Sequence, residues 1–438
     1  MPPSPPRMRK WVASLLGAVV LAAPLLPPVR IWALWPHRMD VVRGQPRCLD
    51  WSPWVPVAVA ASGAKVLVNG RSVAHAWQFL HAKQIQIEAL GAGRIQLAWR
   101  AWGWLPLGQT EVESVPPQYV LPGGQAIGVV VHTQGLVVSG WSPVHTAQGL
   151  TLPAQAVGIQ AGEILLQADG QPLTSDAQLS QLTQVAGQRH APVTLAVAGP
   201  DGVRQIAVTP VWGILSHRYR LGLLVQSQAS GVGTLTLVLP GRRAYAALGH
   251  SLTDGLTAIP APVLRGQVFS AKVVGVKAAQ EGKPGEKIGV LERDGGLAGS
   301  VSWNGRLGVG GILSRMPADL QKVSPMPVAL PDQVHPGPAS LWTVLDQGTV
   351  AHYRIEILRT FRQDRPMPRG IVFKVTDPRL LAEAGGVIQG MSGSPIVQDG
   401  RLVGAVTHVV LGNPQLGYGC YAWWMVQELR SHLGTGGQ

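Results

Sequence analysis

Turn-forming residues interrupt this chain along its whole length. Of its 438 residues, 54 are glycine and 36 are proline, and Val-rich runs lie between them. Proline ends helices and glycine weakens them, while valine favours strands, so the pattern predicts a mainly β protein. Charged residues make up only 13% of the chain, well below the ~25% typical of soluble domains. This composition excludes a coiled coil and a highly charged disordered chain, and the length predicts two or three domains.

The net charge of +13 does not indicate nucleic-acid binding. Seven arginines and lysines but only one acidic residue lie in the first 47 residues, and the remaining charge is diffuse, with no basic helix face. Cys48 and Cys420 are the only cysteines, and their spacing leaves open whether they pair. Two cysteines provide no metal framework. We therefore expect no nucleic-acid partner, no metal and no cofactor.

The N-terminus has the pattern of an export segment. Arg7, Arg9 and Lys10 precede an uncharged apolar stretch over residues 11–29, which Arg30 ends. Nineteen helical residues would span ~28 Å, barely a bilayer, and three prolines shorten the usable helix. Residues 1–30 are therefore predicted to be a signal peptide or a membrane anchor. Either outcome places the chain from about residue 31 outside the cytoplasm.

Short alternating runs over residues 31–115 predict a small N-terminal β region. Residues 116–212 resemble a PDZ domain of the bacterial type: the distinctive phrase GEILLQADGQP at 162–172 contains an Asp-Gly hairpin turn, and helical spacing follows over 175–185. In that family, outward-facing backbone amides receive the carboxylate of a peptide, which adds as a strand. The resemblance implies that a peptide C-terminus or an internal segment binds here. The quartet Ala126, Ile127, Gly128 and Val129 fits the expected loop, although it fits an ordinary glycine turn as well.

Three clusters in the second half of the chain can carry chemistry. The hexapeptide GMSGSP at residues 390–395 places Ser392 between glycines, as a nucleophile on a sharp turn requires, but such residues also form ordinary turns. His250 follows a predicted strand within the phrase ALGHSLTD. Asp377, in a Thr-Asp-Pro context, fits either an orienting carboxylate or the cap of a helix.

The hexapeptide has the Gly-x-Ser-Gly-x-Pro form of trypsin-like serine peptidases. The order of export segment, PDZ domain and peptidase resembles the stage IV sporulation protein B peptidases of endospore-forming bacteria, over nearly the entire mature chain. The resemblance is carried by residues 231–236 (GVGTLT), 247–254 (ALGHSLTD), 282–286 (GKPGE), 336–339 (PGPA), 385–395 (GGVIQGMSGSP), 404–408 (GAVTH) and 417–419 (GYG).

The resemblance implies a trypsin-like double β-barrel over residues 213–438 and a role for each matching residue. Ser392 matches the nucleophile, His250 the general base, and Asp377 the residue that orients the imidazole. The amides of Gly390 and Ser392 match the oxyanion hole. Asp254 and Asp294 are the alternative acids. Ser394 is a weaker nucleophile candidate, and His408 is expected to line a pocket or to be structural.

The family implies an exported, membrane-tethered serine endopeptidase that acts in sporulation signalling. It works in the space between the forespore and mother-cell membranes, where it cleaves a regulator of a membrane-embedded metalloprotease and so triggers late sigma-factor activation. Two alternatives stay open at this point. One is a general extracytoplasmic quality-control protease, and the other is a catalytically inactive, membrane-tethered PDZ scaffold.

Overall fold

The structure is a computed structural model that describes residues 37–50, 56–62, 65–74, 76–80, 84–199, 201–252, 263–292, 296–346, 348–363 and 365–434. The predicted export segment at residues 1–30 lies outside the described residues. Among the described residues, no helix is both long and apolar enough to span a bilayer, and no three potential metal ligands cluster. Cys48 is exposed and Cys420 is buried, and both are free thiols.

The described residues fall into two compact units, which divide after Gln118. The described part of the first unit consists of two small sheets, with strand orders β1-β9-β8-β3-β6 and β2-β7-β4-β5. Its core contains Trp99, whose indole N–H donates to Thr110 Oγ1 at 3.0 Å. The strands of this unit are β1 (Arg38–Val42), β2 (Arg47–Asp50), β3 (Val57–Ser62), β4 (Val66–Val68), β5 (Arg71–Ser72), β6 (Gln78–Leu80), β7 (Gln84–Ala89), β8 (Gly93–Ala101) and β9 (Leu105–Val115).

The second unit is also built mainly of strands, as the glycine and proline content predicts. Its first part contains β10 (Tyr119–Pro122), β11 (Ala126–Trp141), β12 (Val144–Thr146), β13 (Gly149–Thr151), α1 (Pro153–Ala156), β14 (Ile164–Ala168), β15 (Gln171–Pro172), α2 (Asp176–Gln188), β16 (Val193–Gly199), β17 (Gly202–Val208), β18 (Val211–Gly213), β19 (Arg218–Arg220), β20 (Leu223–Val238), β21 (Ala244–Leu248), β22 (Val263–Lys277), β23 (Glu286–Glu292), β24 (Ala298–Val301), β25 (Trp303–Gly305) and β26 (Gly308–Arg315). Its last part contains α3 (Ala318–Gln321), β27 (Met326–Pro327), a 3-10 turn (Pro331–Gln333), β28 (Gly337–Thr343), β29 (Ala351–Thr360), β30 (Ile371–Val375), α4 (Pro378–Ala384), β31 (Pro395–Gln398), β32 (Arg401–Val409), β33 (Leu416–Tyr421) and α5 (Ala422–Gly434).

Two rings of six strands form the main body of this unit. Strands β11, β22, β24, β26, β21 and β20 pair in that order, and β20 pairs back to β11. Strands β28, β29, β30, β33, β32 and β31 close the second barrel. Each barrel encloses its own apolar core, which includes Tyr245 in the first barrel and Phe373 in the second. This arrangement is consistent with a trypsin-like double barrel.

Residues 134–226 form a smaller region with helix α2 and its own core around Leu136, Leu165 and Leu195. The predicted helix is present and begins at the cap Ser175, whose hydroxyl accepts from Gln178 N. The structure differs from the expected boundary at residue 212, because β11 and β20 each run without interruption from this region into the first barrel. The region is thus inserted between two barrel strands rather than placed before the barrel.

Candidate active site

His250 follows strand β21, where the first barrel approaches the second. Leu248 and Gly249 have positive φ values of 73° and 69°, which turn the chain sharply before the histidine. A Cβ on Gly249 would lie 2.7 Å from the Val406 carbonyl oxygen of β32. Because only glycine permits this close approach, the turn brings the half-buried His250 imidazole to the cleft between the barrels.

Ser392 lies on the turn between α4 and β31, and this turn also depends on glycine. Gly393 has a φ of +91°, and a Cβ there would lie 2.2 Å from the Thr234 carbonyl oxygen. Ser392 Oγ lies 2.9 Å from His250 Nε2, within hydrogen-bond distance. The structure therefore brings the predicted nucleophile and the predicted base together, one from each barrel.

The second imidazole nitrogen determines which tautomer His250 adopts. His250 Nδ1 lies 2.9 Å from the carbonyl oxygen of Ser251. Since a carbonyl can only accept, Nδ1 carries the proton, and Nε2 is left to accept the proton of the Ser392 hydroxyl. Burial lowers the pKa of His250, although the bond to Ser251 opposes this effect. The imidazole is therefore neutral at pH 7 and able to act as a base.

His408 lies beside the base, with its ring centroid 5.5 Å from that of His250. Burial, with smaller effects from His250 and Arg369, lowers the pKa of His408 to about 4. Its Nδ1 has no hydrogen-bond partner among the described residues. His408 is thus a neutral side chain beside the base.

The hydrogen bonds of residues 389–394 leave two amides available. Every backbone carbonyl of this turn accepts a hydrogen bond, in chain order from Lys287 N, Thr234 Oγ1, Ser394 N, Thr234 N, Thr236 Oγ1 and Val406 N. Four of its six amides donate to backbone carbonyls. Within the described part of the chain, only the amides of Gly390 and Ser392 in this turn have no acceptor. Two free amides beside a nucleophile can donate to an oxyanion, and they are the two that the family resemblance implies for this role.

Asp377 does not contact the imidazole, and the expectation that it orients His250 is corrected. Its carboxylate accepts four hydrogen bonds: from Arg354 N, and from the backbone N, Nε and a terminal NH₂ group of Arg379, at 3.0–3.1 Å. These bonds, above all those from the Arg379 guanidinium, hold the pKa of Asp377 well below its usual range. Asp377 is the N-cap of helix α4. A carboxylate saturated in this way has no free position for His250.

The two alternative acids, Asp254 and Asp294, lie outside the described residues. Within the described part of the chain, the hydrogen-bond partner of His250 Nδ1 is the Ser251 carbonyl. The described site is therefore a serine–histidine pair whose imidazole is oriented by a backbone group.

The predicted carboxylate loop at Ala126, Ile127, Gly128 and Val129 is also corrected. These residues lie inside strand β11 and pair with β20, and Ile127, Gly128 and Val129 also pair with β22 on the other side. Their backbone groups therefore serve the barrel ladder rather than a ligand. The run AIGVVV is continuously apolar, which is typical of a strand enclosed on both sides.

A second quartet, Leu221-Gly222-Leu223-Leu224, has the free backbone amides that a carboxylate loop needs and that the first quartet lacks. The carbonyls of Leu221 and Gly222 accept from Ala154 N and Ser142 N, whereas their amides donate to no described residue. Gly222 has a φ of +74°. Exposed and less exposed residues alternate through the following run LLVQSQAS, as in a strand with one solvated face.

Ser394 is completely buried and cannot act as a nucleophile in this arrangement. Its hydroxyl oxygen lies 3.0 Å from Thr343 Oγ1 and 3.3 Å from Thr234 Oγ1. The buried Lys287, which no sequence motif indicated, donates from Nζ to Thr343 Oγ1 at 2.7 Å. The nucleophile turn thus lies above a buried polar network.

The family model for SpoIVB peptidase S55 matches residues 217–426, which include Ser392 and His250. Residues 217–426 belong to the SpoIVB peptidase S55 family. The chain is therefore a serine peptidase. Two solved structures are similar to it: Rv3671c from M. tuberculosis H37Rv as an inactive serine-to-alanine mutant (14% identity, TM-score 0.27, 48% of this chain and 84% of that chain), and an inactive form of the Rv3671c protease (14% identity, TM-score 0.28, 46% and 83%). No curated protein matches the chain.

Proposed function

We propose that the chain is a serine endopeptidase in which Ser392 is the nucleophile and His250 the general base. The observation that carries this proposal is the 2.9 Å contact between Ser392 Oγ and His250 Nε2, beside the free amides of Gly390 and Ser392. In an ordinary turn, backbone amides at such a position are paired with acceptors, so two unpaired amides beside Ser392 support a catalytic role.

The reaction follows from these atoms. Ser392 Oγ attacks the scissile carbonyl carbon as His250 Nε2 takes its proton, and the carbonyl oxygen becomes an oxyanion that accepts from the two amides. His250 Nε2 then gives the proton to the leaving amine, and the C–N bond breaks. Water repeats the sequence on the acyl-enzyme, and His250 again takes and returns the proton. Throughout, the Ser251 carbonyl holds the Nδ1 proton and stabilises the imidazolium.

Covalent labelling tests this assignment. A fluorophosphonate probe should modify the purified chain at Ser392, and Ser392→Ala should abolish both labelling and peptide cleavage. Ser300→Ala, which changes an exposed serine of strand β24, is the matched control and should label like the wild type. Labelling at another residue, or an active Ser392→Ala enzyme, would overturn the assignment.

We further propose that residues 134–226 are a PDZ domain that binds a peptide along the edge of β20. Residues 223–228 pair with β11 on one side only, and among the described residues no strand covers their other edge. Helix α2 lies beside this edge, braced by Gln184 Nε2, which donates to the Tyr219 carbonyl at 2.8 Å. The groove between them has a volume of about 640 Å³ and includes Leu179 and Leu223. The free amides of Leu221 and Gly222 at its end suit a terminal carboxylate.

Peptide binding can be measured on the full chain with Ser392→Ala, so that the peptide is not cleaved. A peptide with an apolar C-terminus should bind, and amidation of its carboxylate should weaken binding about tenfold. Backbone N-methylation at alternate residues should remove binding, because strand addition needs the peptide amides. Equal binding of all three peptides would contradict this mode.

The finer biological role is also a proposal. The family match supports an endopeptidase of sporulation signalling that cleaves a regulator of a membrane-embedded metalloprotease. The basic and apolar pattern of residues 1–30 supports export, with tethering or removal of that segment. In a sporulating host that lacks its own enzyme of this family, the wild-type chain should restore cleavage of the regulator. Ser392→Ala should not. A reporter fused after about residue 60 should be active only outside the cytoplasm.

A further inference from the structure

Lys287 is a buried lysine close to the nucleophile turn. Only 5% of the residue is exposed, and within the described chain no carboxylate pairs with its amine. The Nζ donates to Thr343 Oγ1 at 2.7 Å. Burial lowers the pKa of the Lys287 amine to about 7. A buried amine without a counterion costs stability, so its presence beneath the nucleophile turn requires an explanation.

A chain of three hydroxyl groups connects this amine to the nucleophile turn. Thr343 Oγ1 and Ser394 Oγ lie 3.0 Å apart, and Ser394 Oγ and Thr234 Oγ1 lie 3.3 Å apart. Thr234 Oγ1 donates to the Gly390 carbonyl at 2.9 Å. All three side chains are completely buried.

The two ends of the chain determine the direction of its hydrogen bonds. The carbonyl of Gly390 can only accept, so the Thr234 hydroxyl donates its single proton to that carbonyl. The Thr234 oxygen therefore accepts the hydrogen bond from Ser394. Ser394 in turn accepts from Thr343, and Thr343 accepts from the amine of Lys287. All four bonds therefore point from Lys287 towards Gly390, and each strengthens the next.

Lys287 also acts on the other side of Gly390. Its backbone N–H donates to the Gln389 carbonyl at 2.9 Å. Because the C=O and N–H of a trans peptide point in opposite directions, this bond turns the Gly390 amide away from Lys287. The stem of Lys287 packs on Gly390 so closely that an added Cβ would meet three of its carbons at 3.1–3.2 Å. Both peptide planes that flank Gly390 are thus held from one residue.

We propose that Lys287 is a positioning residue for the peptidase reaction. Through the hydroxyls of Thr343, Ser394 and Thr234 it fixes the Gly390 carbonyl, and its own backbone N–H fixes the Gln389 carbonyl, so that the Gly390 amide between these two carbonyls is aimed towards the oxyanion. This inference rests on the proposed function of Ser392. A methionine of similar volume would fill the same space but could not start the directed chain. The Gly390 amide meets a full negative charge only in the transition state. The substitution should therefore lower kcat and leave substrate binding nearly unchanged.

The test compares Lys287→Met with Lys272→Met, which changes an exposed lysine of strand β22. Lys287→Met should lower kcat and the fluorophosphonate labelling rate about 10–100-fold, less than the ~10²–10³ lost with an oxyanion donor itself. KM should change less than threefold. Lys272→Met should match the wild type. The thermal midpoint of Lys287→Met should not fall, because a buried amine has been removed.

Ser394→Ala interrupts the chain in its middle without touching the lysine, and it should reduce kcat to a similar extent. The double variant should lose no more than the larger single loss, since both substitutions break one chain. Wild-type labelling rates in both single variants would overturn the proposal, as would additive losses in the double variant. If wild-type protein is not labelled at Ser392 at all, the proposed function itself fails, which is a different result.

Discussion

The two turns that meet in the active site are held in different ways. In the nucleophile turn, residues 389–394, all six carbonyls and four of the six amides are hydrogen bonded. In the histidine turn, the imidazole is held by the carbonyl of the next residue, Ser251. Behind it, the Leu252 backbone is braced by the amide side chain of Asn304, at 2.8 and 2.6 Å.

This difference shows where the geometry of each catalytic group comes from. The nucleophile turn draws its partners from β20, β23 and β32, so both barrels must fold before its two free amides face the substrate. The tautomer of His250 is fixed within one residue and needs no distant carboxylate. Substitutions in distant strands that hold the nucleophile turn should therefore lower kcat. For the histidine turn, only substitutions close to His250 should do so.

The largest effect is expected from removal of the base. His250→Ala should lower kcat/KM about 10⁴-fold or more, because without the imidazole the Ser392 hydroxyl is a poor nucleophile at neutral pH. Steady-state kinetics on a peptide substrate measures the loss. His335→Ala is the control, since that exposed histidine pairs with Asp399 away from the site. Substantial cleavage by His250→Ala would mean that another group activates Ser392.

A substitution in strand β20 tests the long reach of the nucleophile turn. Thr234→Val keeps the side-chain shape but removes the hydroxyl that donates to the Gly390 carbonyl. We expect kcat to fall about 10–100-fold and the free energy of unfolding to fall by about 1–3 kcal/mol, the cost of a buried carbonyl without a partner. Urea unfolding and kinetics measure the two effects.

Thr183→Val is the matched control for this experiment. Thr183 is also buried, and its hydroxyl donates to the Leu179 carbonyl inside helix α2. Its loss should reduce stability less, because the Leu179 carbonyl keeps the backbone N–H of its helix as a partner, and it should leave kcat unchanged. If both variants lose stability and neither loses activity, the nucleophile turn does not depend on its hydrogen bonds in the way that the comparison states.

The sequence predicted those parts of the fold and the site that depend on local chemistry. Gly393 and Gly249 have positive φ values and mark the turns beside Ser392 and His250, but these turns also fit ordinary loops, and the roles of the two residues come from the family resemblance. The helix at 175–185 and the Asp169-Gly170 hairpin turn follow from periodicity and turn chemistry.

Features that depend on distant partners could not be predicted in this way. Asp377 fits a helix cap and an orienting acid equally well in sequence, and only the fold shows that Arg354 and Arg379 surround it. The two quartets Ala126–Val129 and Leu221–Leu224 look alike, and they differ in whether a second strand covers them. In sequence, Lys287 looks like an exposed polar residue at the start of a strand. The turn that buries it lies about 100 residues further along the chain, so nothing in the neighbouring sequence indicates the burial.

Asp377→Asn separates a catalytic acid from a structural cap. An acid that sets the imidazole tautomer would cost ~10⁴-fold in kcat, as in the triad template of another enzyme. Here the asparagine should lower kcat less than threefold, because the carboxylate binds Arg354 and Arg379 rather than His250. Stability should fall by about 1–2 kcal/mol with the weakened cap and charged bonds. A dead but fully folded Asp377→Asn enzyme would restore it as the orienting acid.

The smallest effect is a displacement of the pH profile. Only the neutral imidazole of His250 can take the serine proton, and burial lowers the pKa of His250 below the ordinary value of 6.5. The acid limb of kcat/KM should therefore have its inflection below pH 6.5.

The free energy of unfolding should also fall as the pH falls. Below pH 6.5 the unfolded chain binds protons that the buried His250 and His408 of the folded chain do not bind, so protonation favours the unfolded state. Because burial lowers the pKa of His408 to about 4, His408→Gln should flatten this loss of stability between about pH 6.5 and 4. The same variant should leave the inflection of kcat/KM below 6.5, since His408 takes no proton from Ser392. An inflection above pH 6.5 in the wild type would show that His250 has a negatively charged partner in the working enzyme. The histidine turn would then depend on a distant carboxylate, whereas the nucleophile turn is held by hydrogen bonds to neutral groups and to Lys287.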